Sequence, residues 1–305
     1  MDPAVATTVR TKALCIVNPK AGMRHAGADD IAKATRVLRE AGFDLDMREC
    51  ALPEPSAEDL ARLAVEAGYP AVIAAGGDGT VQAVAKQLLG TSATLGILPF
   101  GSFMNITKGL GIPLDPLGAA RVIAEGNVVR ADVGEVNGEV FFESAGIGLD
   151  AELFGAARAV ERGRWTRAVR RVWRWARQGS PWLHVATPDG ERSLRAAQAL
   201  VVNCPFYHWS FPVAPAADMR DGLLDVVLFP RMGRRALARS LFTLWRIGRH
   251  EQAPVVLRAA EVKVRSDERL AVHADGRLVG TLPATFRCRP GALAVYAPEV
   301  VAVGS

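Results

Sequence analysis

Apolar residues follow two spacings along the first part of this chain. Short uninterrupted apolar runs alternate with segments in which apolar residues recur every three or four positions. An uninterrupted run is typical of a strand buried on both faces, and the wider spacing is typical of an amphipathic helix. Their regular alternation predicts an α/β fold with a doubly wound parallel sheet. The predicted strands are 13–17, 43–48, 71–75 and 94–99, and the predicted helices are 31–41, 57–67, 80–89 and 119–126.

The pattern changes after Asn127. Strand-like segments now follow one another with few helices between them, which predicts a mainly antiparallel β-sandwich. A chain of 305 residues is long for a single hydrophobic core, so two domains are expected on size as well. We therefore predict an α/β domain over residues 1–127 and a β-sandwich domain over residues 128–305. The predicted strands of the second domain are 128–134, 139–145, 184–187, 199–203, 224–229, 261–265, 270–273 and 292–297.

Three glycines surround an acidic residue directly after the third predicted strand. Gly76, Gly77 and Gly79 let the backbone approach a ligand closely, and the first N–H groups of the following helix attract anions. Asp78 can serve a phosphate only through a divalent cation, so the turn predicts a metal–nucleotide site. The alternative is an ordinary strand-to-helix turn with Thr80 as its N-cap. The residues match neither the P-loop nor the Gly-x-Gly-x-x-Gly spacing.

Two further turns follow predicted strands of the same sheet. Asn18 comes after the first strand, and Gly101 comes after the fourth. Ligands in doubly wound sheets bind beyond the carboxyl ends of the strands. We therefore expect the turns at Asn18, Gly76 and Gly101 to converge on one crevice.

Cysteine content, apolar runs and charge indicate the cellular compartment and the kind of surface that this protein would meet. The four cysteines are scattered without a Cys-x-x-Cys pair, which favours reduced thiols in the cytoplasm and argues against a structural zinc site. The N-terminus lacks a signal-peptide core, and no apolar run is long enough to span a bilayer. The formal net charge is +5. Arginines cluster at 158–177 and 231–249, which predicts a basic surface facing a membrane or a polyanion.

Two predicted helices carry these arginines, at 164–177 and 234–249. In the first, Trp165 and Trp173 share an apolar face while arginines occupy the rest. Tryptophan with arginine on an amphipathic helix suits a lipid interface. A helix packed on the sandwich with a solvated arginine face explains the same pattern, and both interpretations apply to the second helix as well.

With these elements in place, the sequence resembles the diacylglycerol kinase catalytic-domain family, the lipid kinases that include sphingosine and bacterial phospholipid kinases. The resemblance runs from about Lys12 to Pro298 and rests on six ordered motifs. The motifs are Asn18-Pro19 with Gly22; Gly76-Gly77-Asp78-Gly79-Thr80; 98–102 with 110–113; Asp132-Val-Gly with 142–148; 215–216 with 218–225; and Asp275-Gly276.

The resemblance implies transfer of the γ-phosphoryl group of ATP to a lipid hydroxyl, with Mg2+ and a diacylglycerol-like acceptor. Asp78 would serve the magnesium. The family's proposed base, or the partner of that base, is a glutamate that this chain lacks at position 277, and the retained Asp275 could act as the catalytic base instead. Residues implied to bind the nucleotide are Asn18, Gly76, Gly77, Gly79, Thr80, Gly101 and Ser102. A structural magnesium would be held by Asp218, Asp221 and the carbonyl of Leu223. Without the resemblance, the acidic residues of that loop are equally well interpreted as solvated turn residues.

Three positions depart from the family pattern. Met104 stands where the family has asparagine, Asn105 stands where it has an acid, and Arg277 replaces its glutamate. An arginine cannot accept a proton, whereas the retained Asp275 can. Arg277 could instead bind an anionic head group.

These departures leave three hypotheses open. The first is an active lipid kinase at a membrane surface. The second is a nucleotide-binding pseudokinase that docks on membranes, and the third is a kinase for a soluble substrate such as NAD. We expect no nucleic-acid partner and a cytoplasmic protein for which peripheral membrane association is open. The oligomeric state, a homodimer included, is also open.

Overall fold

The computed structural model describes residues 10–21, 28–51, 54–148, 181–207, 210–230 and 255–299. The predicted basic helices at 164–177 and 234–249 lie outside these ranges, as do Gly22 and Arg24. The described residues form two compact units. The first comprises those up to Ala131 together with those from Gly291 onward, and the second runs from Asp132 to Pro290.

The first unit is built on a parallel sheet with strand order β2-β1-β3-β4. The final residues of a later strand, β17 (Ala284–Tyr296), run parallel to β4 and pair with it through Val295 and Leu95. The strands are β1 (Thr11–Val17), β2 (Phe43–Glu49), β3 (Ala71–Gly76) and β4 (Thr94–Pro99). The helices are α1 (Ala28–Glu40), α2 (Ala57–Glu66), α3 (Asp78–Leu88), α4 (Asn105–Gly109) and α5 (Pro116–Glu125).

Continuous apolar runs explain why this sheet is covered on both sides. Every residue of β3 and β4 is buried. The direction of the crossovers reverses after β2, so right-handed connections place α1 on one face of the sheet and α2 and α3 on the other. Consistently, α1 packs with α5 while α2 packs with α3. The predicted doubly wound parallel sheet is confirmed.

The second unit is mainly antiparallel, with β9 shared between two layers. One layer has the order β16-β15-β7-β9-β12-β13, and the other runs β9-β8-β14-β17. Apolar side chains of both layers form one core, with Phe141 and Phe286 fully buried in it. The predicted sandwich is confirmed. Its strands are β5 (Val128–Val136), β6 (Glu139–Phe141), β7 (Ser144–Gly148), β8 (Trp182–Thr187), β9 (Gly190–Val202), β10 (Phe206–Tyr207), β11 (Phe211–Pro212), β12 (Leu224–Pro230), β13 (Val255–Ala259), β14 (Glu261–Ser266), β15 (Ala271–Ala274), β16 (Arg277–Thr281) and β17.

Several details differ from the sequence predictions. The single strand predicted at 139–145 is two strands, β6 and β7, separated by a turn, and β13 and β16 were not predicted. The predicted division assigned residues 128–305 to the second domain, whereas the structure groups the chain from Gly291 with the first unit. None of the helices in the described ranges is long and apolar enough to cross a bilayer.

Candidate active site

The first glycine turn joins β3 to α3. Gly77 is the N-cap of α3, and its carbonyl oxygen accepts the N–H groups of Thr80 and Val81 at 2.9 and 3.0 Å. Thr80 therefore lies in the first turn of the helix rather than at its cap. Gly77 offers no side chain to cap the helix. Helix ends of this kind bind anionic ligands readily, because the backbone N–H groups and the helix dipole both favour negative charge.

A second glycine turn, after β4, touches the first. A methyl group on Gly101 would lie 2.7 Å from the Cα of Gly77 and 2.7 Å from the Sδ of Met104. The two turns therefore meet backbone to backbone, which requires a residue without a side chain. Gly79 differs, because it is exposed and a methyl group there would meet no atom within 4 Å.

Asn18 connects the end of β1 to the same turn. Its Nδ2 donates to the Oγ1 of Thr80 at 2.9 Å, and its backbone N–H donates to the carbonyl of Ala75 at 2.9 Å. The predicted convergence of the strand ends is thus confirmed. The Thr80 hydroxyl accepts from Asn18 and still has a proton that it can donate. Ser102 is exposed in the segment that follows β4.

Asp78 ties the two glycine turns together through one of its oxygens. Its Oδ2 accepts the N–H of Met104 at 2.8 Å. Its Oδ1 is buried and has no hydrogen-bond partner among the described residues. Burial raises the pKa of the Asp78 carboxyl, and N–H groups of Met104 and Asn105 and the charge of Lys108 oppose that shift. A buried carboxylate oxygen without a donor is a ligand that a cation could use.

Two of the departures from the family pattern, at positions 104 and 105, lie at the contact with Asp78. Met104 adopts a left-handed conformation with a φ of 50°, and only 2% of it is exposed. Asn105 is likewise buried and begins α4. Met104 binds Asp78 through its backbone N–H, so this contact does not depend on the residue type at position 104. Sequence reasoning missed it because a backbone donor leaves no signal in the residue pattern.

Asp275 organises a turn in the second unit. It lies between β15 and β16 with a φ of 41°. Its carboxylate accepts three backbone N–H groups, from Phe142 at 2.7 Å, Glu143 at 3.1 Å and Ser144 at 3.0 Å. These bonds hold the turn that separates β6 from β7, which explains why the predicted single strand is divided.

The surroundings of Asp275 make it harder to ionise. Burial raises the pKa of its carboxyl, while the three N–H groups and the charge of His273 act in the opposite direction. His273 is fully buried, and its Nδ1 accepts the N–H of Gly276 at 3.2 Å. Arg277 begins β16 and is exposed. The side chain of Asp275 is therefore held by the backbone of the 142–144 turn.

The loop predicted to hold a structural cation contains an ion pair. Both oxygens of Asp221 have partners, since Oδ1 accepts the N–H of Leu223 at 2.9 Å and Oδ2 contacts the Nη2 of Arg258. The Nε of Arg258 lies 3.3 Å from the Oδ1 of Asp225, which is buried. Asp218 is exposed. In the described part of the chain, no group of three or more His, Cys, Asp or Glu residues is arranged to hold a metal ion.

The chain resembles known proteins along nearly its whole length. Residues 12–136 match the diacylglycerol kinase catalytic domain, and residues 146–297 match the YegS C-terminal NAD kinase beta sandwich-like domain. A Pseudomonas aeruginosa protein described as a YegS-like lipid kinase is 29% identical over 90% of this chain and 92% of its own length. A Bacillus subtilis diacylglycerol kinase is 27% identical over the same shares.

Solved structures agree on the fold. The crystal structure of a diacylglycerol kinase from Bacillus anthracis matches with a TM-score of 0.73 at 21% identity, covering 95% of this chain and 98% of that chain. A second Bacillus anthracis structure of this kind, at 24% identity, matches with a TM-score of 0.72 and covers the same shares.

Proposed function

The chain belongs to the lipid kinases in which a diacylglycerol kinase catalytic domain precedes a YegS-type C-terminal domain, and from that premise we propose that it transfers the γ-phosphoryl group of ATP to the hydroxyl of a diacylglycerol-like lipid. The observation that carries the proposal is the junction of the two glycine turns. There the buried Oδ1 of Asp78 has no donor among the residues that the structure describes, and it lies beside a helix end without a side-chain cap.

The first glycine turn is the proposed cradle for the phosphates of ATP. Gly77, Gly79 and Thr80 belong to the N-terminal turn of α3, where backbone N–H groups favour anions. Gly76, Asn18, Gly101 and Ser102 complete the proposed nucleotide-binding set. Gly79 gives a phosphate the closest access to the backbone, because it is exposed and surrounded by open space.

Asp78 is the proposed ligand for the magnesium that accompanies ATP. Its Oδ1 is a hard oxygen donor, which is the ligand type that Mg2+ prefers. A bound Mg2+ neutralises charge that develops on the phosphoryl oxygens.

Asp275 is the proposed base. An ionised carboxylate can accept about four hydrogen bonds, and three are made to the 142–144 turn. We assign the remaining acceptor position to the lipid hydroxyl. The hydroxyl proton passes to Asp275, the lipid oxygen forms the new P–O bond, and the bond from the γ-phosphorus to the β–γ bridging oxygen breaks to release ADP. A pKa raised by burial makes Asp275 a better proton acceptor than an exposed aspartate.

Arg277 is the proposed contact for the acceptor's head group. It stands two residues after Asp275, is exposed, and carries a permanent positive charge. An anionic head group such as that of phosphatidylglycerol would be favoured by this charge. The arginine clusters at 158–177 and 231–249 are proposed to bring the protein to an anionic membrane surface.

Transfer of label from ATP tests the proposal. Purified protein is incubated with γ-labelled ATP, Mg2+ and separate acceptors: diacylglycerol, phosphatidylglycerol, a sphingoid base and NAD. We expect label in a lipid product, lost in Asp78→Asn and Asp275→Asn. Label in NAD alone would identify a soluble-substrate kinase. ATP binding without transfer to any acceptor would identify a pseudokinase, in which case Arg277→Glu tests whether the missing acid accounts for it.

Vesicle binding tests the membrane part of the proposal separately. We expect binding to vesicles that contain anionic lipid and little binding to neutral vesicles. The binding should weaken as salt rises, because exposed charges are screened. Equal binding to both kinds of vesicle would contradict it.

A further inference from the structure

Arg258 lies between two aspartates of the loop at 218–225. Its Nη2 contacts the Oδ2 of Asp221, and its Nε lies 3.3 Å from the Oδ1 of Asp225. Arg258 reaches both because β12 and β13 are antiparallel neighbours and Arg258 pairs directly with Asp225 in their register. The contact is therefore fixed by strand pairing.

Asp221 and Gly222 of this loop already bond to other groups of the chain. The N–H of Leu223 occupies the second oxygen of Asp221 at 2.9 Å. Asp132 accepts the N–H of Gly222 at 2.6 Å, and its own N–H donates to the carbonyl of Met219 at 2.7 Å. The loop is thus tied to Asp132 of β5 by one bond to its carboxylate and one bond from its backbone N–H. A cation at Asp221 would have to displace a guanidinium.

We propose that the guanidinium of Arg258 is the cation of this loop, so that the segment 218–225 keeps its shape without a divalent metal. The family resemblance implies a structural magnesium on Asp218, Asp221 and the Leu223 carbonyl, and the residues present do not fit one. Each oxygen of Asp221 already contacts a donor, one of them the positively charged guanidinium of Arg258, and Asp218 is exposed. The inference does not depend on the proposed phosphoryl transfer.

The charge balance supports this assignment. The Oδ1 of Asp225 is buried and accepts no hydrogen bond among the described residues, and the charged Nε of Arg258 lies 3.3 Å from it. Removing one partner of such a pair leaves a buried charge without compensation.

Thermal unfolding of the nucleotide-free full chain tests the inference. The wild type and Asp221→Asn are compared in EDTA and in millimolar MgCl2. We expect that adding Mg2+ changes the Tm of the wild type no more than it changes the Tm of Asp221→Asn. A rise in Tm on adding Mg2+ that Asp221→Asn abolishes would overturn the inference.

Substitutions at Arg258 test the charge itself. Arg258→Met, which keeps an apolar stem, should lower the Tm by roughly 5–10 °C. Arg258→Lys should recover part of that loss, because it keeps the charge.

The matched control is Arg287→Met, which breaks the exposed ion pair of Arg287 with Glu261 and should change the Tm little. An Arg258→Met protein as stable as the Arg287→Met control, or an Arg258→Lys protein as unstable as Arg258→Met, would overturn the assignment. If Arg258→Met does not fold, the wild-type magnesium comparison still decides.

Discussion

Asp78 in the first unit and Asp275 in the second are both largely buried carboxylates whose pKa is raised mainly by burial. They differ in how their oxygens are used. All hydrogen bonds to Asp78 fall on Oδ2, and Oδ1 has no partner within the described part of the chain. Asp275 instead uses both oxygens to accept three backbone N–H groups.

This difference indicates that one buried carboxylate is available to bind a ligand and that the other stabilises the fold. An oxygen without a donor costs stability in the unliganded protein, so Asp78 is best explained by a cation that arrives with the ligand. A carboxylate bonded to three N–H groups contributes to the fold itself. The same replacement, aspartate to asparagine, should therefore have opposite effects on stability at the two positions.

Asp275→Asn should produce the largest loss. One oxygen becomes an amide NH2 group that cannot accept an N–H, so at least one buried donor of the 142–144 turn loses its partner. Asparagine tolerates a positive φ, so the backbone at this position adds no strain. We expect the free energy of unfolding to fall by about 2–4 kcal/mol, measured by urea denaturation. A change below about 0.5 kcal/mol would show that these bonds do not stabilise the turn.

Gly101→Ala should have an intermediate effect and tests the junction of the two turns. The added methyl group would lie 2.7 Å from the Cα of Gly77, so one backbone must move. We expect a loss of about 1–3 kcal/mol in the free energy of unfolding, together with weaker ATP binding by calorimetry.

Gly79→Ala is the matched control for Gly101→Ala. The methyl group meets open space, and alanine favours the helix, so stability should stay the same or rise by up to about 1 kcal/mol. ATP affinity should nevertheless fall if a phosphate approaches Gly79. Equal loss of stability in both variants would mean that the turns do not meet as described.

The parallel sheet could be predicted from the sequence because its strands are continuous apolar runs. The same runs located the turns at Asn18, Gly76 and Gly101, since parallel strands bring their carboxyl ends to one edge. The contacts that define the sites could not be predicted in the same way. Met104 meets Asp78 through a backbone N–H, and Asp275 bonds a turn more than 100 residues earlier through backbone groups as well.

Arg258 shows a second limit of sequence reasoning. Its contact with Asp225 depends on the pairing of β12 with β13, and β13 was not predicted. β13 is an edge strand with only one neighbour in the described residues, and its burial alternates, so it lacks the continuous apolar run that identified the inner strands. Without that register, Asp221 and Asp225 look like ordinary turn acids.

Asp78→Asn should have a small effect on stability, with the opposite sign to that of Asp275→Asn. Folding raises the pKa of Asp78 above its ordinary value of 3.8. At a pH between the unfolded-state pKa and the folded-state pKa, the folded protein therefore binds more protons than the unfolded protein. The stability contributed by Asp78 is therefore fully present below the unfolded pKa and is lost as pH rises through the folded pKa.

Asparagine at position 78 does not titrate, so the variant should gain stability relative to wild type as pH rises. We expect the two proteins to be similar near about pH 4 and the variant to be the more stable one near about pH 7, measured by urea denaturation at each pH. Shifts at Asp225 and Asp275 occur in both proteins and cancel in the difference. A variant that loses stability relative to wild type as pH rises would mean that ionised Asp78 supports the unliganded fold, and the contrast with Asp275 would then fail.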